Sequence, residues 1–439
     1  MILLIDFTTI ISAILVFTIL ILLMALMLIF ARKKLVPEGN VEIIINGDEE
    51  KPLLIQPGSS LLSSLADQNI FLPSACGGGG TCAMCTCRVY SGGGDILPTE
   101  LNHISRKDAE ANMRLACQVK VRDNMKIGIP EEIFGIKKWE CEVVSNYNVA
   151  SFIKEFIVRL PEGETLDFEP GGYVQIDVPE TTVEFKNFDI APLPDDPAGK
   201  DKFKSEWDDW KLWDLKMVND EPQFRAYSMA NHPAEGDIVM LNIRIATPPF
   251  DRNKNGWSDV NPGVCSSYVF DQKPGDKITI SGPYGEFFIK DTKKEMIYIG
   301  GGAGMAPLRS HLFHLFHTVK ERDRKISYWY GGRSKRELFY TDHFRKIEKE
   351  FDNFQYNIAL SAALEEDNWK VKKSIDDPEG DGFTGFIHQA LYDNYLKYHP
   401  EPEEVEYYLC GPGPMLDACL KMFDDLGVPE ENIAFDDFG

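Results

Sequence analysis

Residues 74–87 read SACGGGGTCAMCTC, with four cysteines and four consecutive glycines. Five residues separate Cys76 from Cys82 and two separate Cys82 from Cys85, while Cys117 follows further on in RLACQV. Three thiols on one loop and a fourth from a later segment form a set that can surround a compact inorganic centre. The glycines suit that purpose. A loop wrapped round an anionic centre turns backbone N–H groups toward it, often at positive φ, and glycine adopts that region without steric cost. Cys87 lies two positions past Cys85, where the chain should already be entering a strand, and it reads as a non-ligand.

The spacing is ferredoxin-like and points to a [2Fe–2S] cluster held by Cys76, Cys82, Cys85 and Cys117. Its first gap is one residue longer than in plant-type ferredoxins and matches the vertebrate type. Structural zinc would favour two paired knuckles, and Cys117 has no partner two residues away. Nine cysteines spread over 439 residues are an odd count and a poor disulfide framework. Such clustered thiols fit a reducing compartment and metal binding.

A net charge of −23 argues against nucleic acid, which wants a basic face. Phe7–Ala31, FTTIISAILVFTILILLMALMLIFA, carries no charge, and about 20 such residues suffice to cross a bilayer as a helix. A signal peptide would have a basic leader, a shorter apolar run and a small-residue cleavage site. Here Asp6 precedes the run and Arg32, Lys33 and Lys34 follow it. An uncleaved anchor over residues 1–34 is expected, with the basic flank and the rest of the chain on the cytoplasmic side.

VEIIING and KPLLIQPGSS then read as two strands about an Asn-Gly turn, SLLSSLADQNI as a helix, and MRLACQVKV as a strand carrying Cys117. This is one small domain, 35–132. From 133 to 290, WECEVVSNYNV, IKEFIVRLP, GGYVQIDVP, DIVMLNIRIA and DKITISGPYGEF predict an antiparallel barrel or sandwich. Residues 185–222, rich in Asp, Lys and Trp, read as an insertion outside the core. From 291 to 439, strands alternate with helices, which predicts a doubly wound parallel sheet.

RAYSMA (225–230) is a candidate flavin strand. Arg225 offers a fork to a diphosphate, Ala226 lies between it and Tyr227 with its flat face, and Ser228 could reach flavin N5. NPGVCSSYVF reads as a glycine-led helix start, with Gly263, Val264, Cys265, Ser266 and Ser267 receiving a pyrophosphate. IYIGGGAGMAPLRS places Gly300, Gly301, Gly302, Ala303 and Gly304 between a strand and a helix, as a dinucleotide loop requires. After YWYGGRSKREL, Ser334 and Arg336 could hold a 2′-phosphate, so NADH and NADPH both stay open on chemistry. YYLCGPGPM sets Cys410 at a strand end, with Gly411, Pro412, Gly413 and Pro414 clearing space for a planar ring. Phe438 in the closing FDDFG could stack on a flavin. His311, His314 and His317 rotate round a helix and read as structural.

Taken together, ACGGGGTCAMC, SGGGDILPTEL, RLACQV, RAYSMA, GGGAGMAPLRSH, GGRSKRE, CGPGPM and FDDFG resemble the F subunits of bacterial sodium-translocating NADH:quinone reductases over essentially the whole chain. The resemblance implies a membrane helix, a ferredoxin-like β-grasp domain, an FAD-binding antiparallel barrel and a doubly wound NADH domain of ferredoxin–NADP reductase type. It implies NADH as donor, with FAD and the cluster as carriers. Arg225, Tyr227, Ser228 and Gly263–Ser267 would then contact FAD. Gly300–Gly304, Arg333 and Cys410 with Gly411 would form the NADH side, with Phe438 covering the flavin. It also implies partner membrane subunits in the bacterial inner membrane and a quinone reached through them; residues 185–222, which the resemblance does not map, are expected to face those subunits. The reductase component of a multicomponent oxygenase shares the modules but is typically soluble. A tethered redox sensor is the non-enzymatic alternative.

Overall fold

The computed structural model describes residues 7–35 and 39–436. Its contacts divide the chain into two units, Met1–Ser74 with Gly78–Gly135, and Ala75–Gly77 with Ile136–Gly439.

The first unit opens with helix α1 (Phe7–Leu35), whose sequence contains neither Pro nor Gly to interrupt it. Side chains 11–27 and Phe30 are exposed. Among the described residues no helix is long and apolar enough to cross a membrane, so the expected span is not established by them. Next come β1 (Val41–Ile45), β2 (Leu53–Ile55), α2 (Leu61–Ala66), β3 (Thr86–Ser91), α3 (Arg106–Glu110), β4 (Met113–Leu115) and β5 (Met125–Gly128). The strands form one mixed sheet in the order β2-β1-β5-β3-β4, with β1 and β5 parallel. Asn46 and Gly47 both take positive φ at the centre of a turn closed by Asp48 N–H to Ile45 O at 3.0 Å. Ser60 caps α2 through Ser63 N–H, and Leu61, Leu62 and Leu65 bury its inner face. Cys87 lies in β3, as its position suggested. Cys117 does not lie in a strand. β4 stops at Leu115, and Ala116–Gln118 form a turn closed by Gln118 N–H to the Leu115 carbonyl at 2.8 Å.

In the second unit, strands β6 (Lys137–Ala150), β7 (Ile153–Arg159), β8 (Tyr173–Val178), β9 (Thr181–Glu184), β10 (Lys216–Asn219), β11 (Gln223–Ser228), β12 (Ile238–Arg244), β13 (Phe250–Asp251), β14 (Gly256–Trp257) and β15 (Lys277–Tyr284) build the barrel and its ribbons. The main sheet runs β11-β8-β15-β6-β7-β12, antiparallel throughout. Ala230 N–H to Met240 O at 2.7 Å, beside a Met229–Leu241 bridge, joins its two edges and closes the barrel. Helix α5 (Val264–Asp271) packs on it.

The segment read as an insertion is part of the core. Between β9 and β10 it contains α4 (Lys204–Asp209), and Phe185, Phe203 and Trp207 are fully buried in the same apolar cluster as barrel residues Phe156, Val174 and Ile280. Trp207 Nε1 donates to Ser151 O at 2.7 Å. Its surface charges masked aromatic residues that face inward.

The nucleotide half is a parallel sheet of β16 (Met296–Gly301), β17 (Ile326–Gly332), β18 (Phe354–Leu360), β19 (Phe383–Thr384), β20 (Glu406–Cys410) and β21 (Ile433–Asp436), ordered β19-β18-β17-β16-β20-β21. Helices α6 (Met305–Phe313), α7 (Thr341–Glu350), α8 (Ile387–Asn394) and α9 (Gly413–Asp425) accompany it, and apolar clusters cover both of its faces. Chain order reverses between β16 and β20, which makes the crevice at their carboxyl ends the topological switch point where such sheets bind ligands.

Candidate functional site

In the cysteine loop, a Cβ on Gly78 (φ +86) would lie 3.4 Å from Leu62 Cδ2 and 3.9 Å from Cys117 Cβ, and one on Gly80 (φ +77) 2.3 Å from Gln118 Nε2. Ala83 also takes positive φ, a conformation that sequence reasoning assigned to glycine alone. The thiols of Cys85 and Cys117 are in hydrogen-bond contact, with Cys82 close enough to act on Cys85. Gln118 Nε2 reaches the Cys117 sulfur at 3.9 Å. Among the described residues no three His, Cys, Asp or Glu side chains gather to hold a single metal ion. A two-iron cluster asks for something else, because its four thiolates are shared between two metals. The paired sulfurs and the glycine turns fit that group. Cys87 is sealed in the sheet, and burial pushes its thiol up to about 12.

The turn carrying Cys117 is held by a pair that joins two of the sequence motifs. Arg114 donates to Glu100 through Nε at 2.9 Å and Nη2 at 2.8 Å. Its remaining donors reach the carbonyls of Gly93, Gly94 and Asp95. Glu100 in turn accepts from Leu97 and Leu115 N–H. Glu100 is 0 % exposed, so SGGGDILPTEL and RLACQV are one buried, fully bonded device.

On the barrel, Arg225 is half-buried and bonds Phe224 O at 2.7 Å and Gln223 Oε1 at 3.2 Å, neither of them a carboxylate. Tyr227 hydrogen-bonds Cys265 in α5, and burial pushes the Cys265 thiol up to about 12. Gly263 precedes α5, where a Cβ would lie 2.5 Å from that of Ala246. Ser266, expected to meet a pyrophosphate, instead spends its hydroxyl on Gly263 O and Ala246 N–H. Ser267 Oγ is buried without a hydrogen-bond partner, which suits a ligand oxygen at this helix start. A guanidinium with no carboxylate partner among the described residues, a glycine-led N-terminus and a hydroxyl unpartnered among them fit a flavin diphosphate.

At the switch point the glycines have packing reasons. A Cβ on Gly304 would sit 2.1 Å from the Cys410 carbonyl oxygen, and one on Gly411 2.5 Å from Met415 Cε. Gly302 has φ +57 and gives its carbonyl to Tyr330. Gly300 pairs with Cys410 across β16 and β20, and Cys410 pairs with Asp436 across β20 and β21. Ser228, at the end of the flavin strand, donates to Asp436 Oδ2 at 2.6 Å. Thus Ser228, Cys410 and the Gly300–Gly304 loop converge on one place, and Asp436 is the residue that the sequence reading missed there. Phe438 lies outside the described residues. Ser334 is buried and Arg333 exposed. Arg336 is not free for a phosphate, since it pairs with Glu366 at 2.8 Å and Glu206 at 3.5 Å.

His311, His314 and His317 do not form a metal site. His311 donates from Nε2 to Phe287 O at 2.9 Å, and burial holds its imidazole down to about 4. Burial likewise holds His232 down to about 4. Each favours the neutral ring in the folded chain, so its stabilisation is full above the ordinary value of about 6.5 and is lost as pH falls toward 4. Urea unfolding of the flavin-containing unit is therefore expected to weaken already between pH 6.5 and 5, before most carboxylates titrate, and His311→Gln should flatten that fall. An unchanged midpoint over that interval would contradict the assignment.

Three family models match the chain. These are a 2Fe-2S iron-sulfur cluster binding domain at 43–122, an oxidoreductase FAD-binding domain at 212–289 and an oxidoreductase NAD-binding domain at 298–421. The protein is thus of the iron–sulfur flavoprotein reductase class. Its fold resembles the Amycolatopsis cytochrome P450 reductase GcoB (TM-score 0.57, 20% identity, 91% of this chain and 98% of that one) and the ferredoxin reductase in carbazole 1,9a-dioxygenase (0.55, 23%, 91% and 98%). At such identities the likeness concerns fold alone. It is also 51% identical over 430 residues to the F subunit of the Na(+)-translocating NADH-quinone reductase of Neisseria meningitidis serogroup C, covering 98% of this chain and 99% of that one. To the same subunit of Idiomarina loihiensis it is 52% identical over 423 residues, covering 96% and 97%. The chain belongs to the family of F subunits of Na(+)-translocating NADH-quinone reductases.

Proposed function

We propose that this chain is the NADH-oxidising electron-input subunit of a sodium-translocating NADH:quinone reductase. The observation that carries the reading is the convergence of the flavin strand, through Ser228 and Asp436, on the carboxyl ends of β16 and β20. When bound, FAD takes two electrons from NADH and the [2Fe–2S] cluster, a one-electron carrier, passes them on toward other subunits and quinone.

The chain's own part is to bind, orient and exclude water. Arg225 and the α5 N-terminus with Ser267 take the diphosphate, and Tyr227 lies along the flavin. Ser228 and Cys410 would face the reacting rings, and the backbone of Gly300–Gly304 and Gly411–Pro412 would leave room for the nicotinamide. Arg333 and Ser334 would take the adenosine side. The Glu366 and Glu206 carboxylates beside Arg336 would repel a 2′-phosphate, which favours NADH over NADPH. Cys76, Cys82, Cys85 and Cys117 hold the cluster.

The helix Phe7–Leu35 serves as the single membrane anchor, with Arg32–Lys34 on the cytoplasmic side. The sequence supports this: the run Phe7–Ala31 carries no charge, and about 20 such residues suffice to cross a bilayer. One helix without an intramembrane carboxylate offers no ion path, so sodium coupling belongs to the assembled complex.

The test is anaerobic reduction of the full-length protein. NADH should bleach one flavin and develop the EPR signal of one reduced [2Fe–2S] centre per chain, NADPH should act far more slowly, and deletion of residues 1–34 should release the protein from membranes. Zinc in place of iron and sulfide, or a flavin untouched by NADH, would overturn the reading. A truncated chain still embedded in the bilayer would overturn the anchor.

A further inference from the structure

We infer that Arg309, Ser310 and His311, three successive residues of α6, are positioning residues that lock the dinucleotide loop to the flavin strand; the inference rests on the flavin and nicotinamide reading above. Helix α6 begins directly after Gly304. Arg309 Nη1 donates to Ala230 O at 2.6 Å, and the guanidinium grips Glu235 at 2.9 and 2.8 Å. Ser310 Oγ donates to Asn231 O at 2.7 Å, and His311 Nε2 to Phe287 O at 2.9 Å. Ala230 and Asn231 lie two and three residues beyond Ser228 of the flavin strand, so these contacts join the two halves of the crevice.

Geometry makes this more than ordinary packing. Successive helical residues point about 100° apart. Arg309 and Ser310 therefore bond the edge of the barrel on two sides of α6, and His311 ties a third side to the connection that follows β15. All three are buried, Arg309 at 4 % exposure and the others at 0 %. A second set of bonds reinforces the seam. Tyr340 OH donates to Glu155 Oε2 at 2.7 Å and accepts from Asn242 Nδ2 at 2.8 Å. Glu155 and Asn242 belong to barrel strands β7 and β12, whereas Tyr340 precedes α7. The Arg309 guanidinium lies 5.3 Å from the Tyr340 ring centroid, linking the two sets. Tyr340 is itself held at φ 58, a left-handed conformation that a bulky side chain adopts only where its surroundings impose it.

Transfer between two stacked rings depends steeply on their separation, and an error of about 1 Å can cost a hundredfold. A helix bonded to the barrel on several sides sets that separation without a closing motion. The inference is tested on the full-length, FAD-loaded protein with Arg309→Met, Arg309→Lys and Ser310→Ala. Amide hydrogen exchange of residues 229–235 and 305–313 should rise at least tenfold in Arg309→Met. The limiting rate of flavin bleaching by NADH should fall at least tenfold, while flavin content and the apparent Kd for NADH stay within threefold of wild type. Arg309→Lys should recover part of both effects. Ser310→Ala, which removes one hydrogen bond, should shift both in the same direction by about threefold, and it decides the matter if Arg309→Met fails to retain flavin. Unchanged exchange and limiting rate, or a loss of NADH affinity alone, would overturn the inference. A wild-type flavin that NADH does not bleach would instead overturn the functional reading, with the exchange measurement still judging the clamp.

Discussion

Replacing Cys85 with alanine is expected to abolish iron and acid-labile sulfide binding while leaving the flavin half of the chain able to oxidise NADH. Cys85 is buried and its sulfur touches that of Cys117, so its loss removes one of the pair that the loop brings together. Three remaining thiolates cannot complete the coordination of two irons. The flavin strand, α5 and the switch-point glycines belong to the second unit, whereas Cys85 belongs to the first. Reduction of ferricyanide by NADH should therefore persist within about twofold, while quinone reduction by the assembled complex falls to background. Iron, sulfide and flavin assays on the same preparation check the assignment. Loss of both activities together with FAD would mean that the cysteine loop serves the fold of the whole chain.

The second large effect is on stability. Glu100→Ala leaves the Arg114 guanidinium buried opposite nothing but carbonyls and strips two N–H groups of their acceptor. Removing one member of a buried, hydrogen-bonded pair costs about 3–5 kcal/mol, chiefly because the other charge stays buried alone. Because Arg114 immediately precedes the turn with Cys117, the loss should appear in the iron–sulfur unit. In urea titrations of the full-length protein, the midpoint followed by cluster dichroism should fall sharply, and the flavin-fluorescence midpoint should hold. Glu100→Gln, which keeps an acceptor oxygen but not the charge, should fall between. Coincident midpoints in wild type and Glu100→Ala would remove the pair from any structural role.

Much of the site was legible because its requirements are local. A thiol set needs its spacing, a tight turn needs residues such as Asn46-Gly47 that tolerate positive φ, and a loop approaching a dinucleotide needs glycine. Each leaves its mark within a few positions. The misreadings share a cause. Residues 185–222 look like a polar excursion because charge is counted along the chain, yet Phe185, Phe203 and Trp207 all turn inward once β9 and β10 pair. Arg336 reads as a phosphate ligand until Glu206 and Glu366 are brought beside it. Cys117 reads as a strand residue because MRLACQVKV has strand composition, while the chain turns at Ala116 to present the thiol.

By itself, then, the amino-acid order determined the kinds of cofactor chemistry and the succession of modules, since each of these is a demand on neighbouring residues. Tertiary structure alone decided that Ser228 meets Asp436, 208 positions away, and that Arg309 meets Ala230, 79 positions away. A hydrogen bond between distant segments carries no period and no composition. It exists only once the barrel has closed and the parallel sheet has placed its strand ends against it.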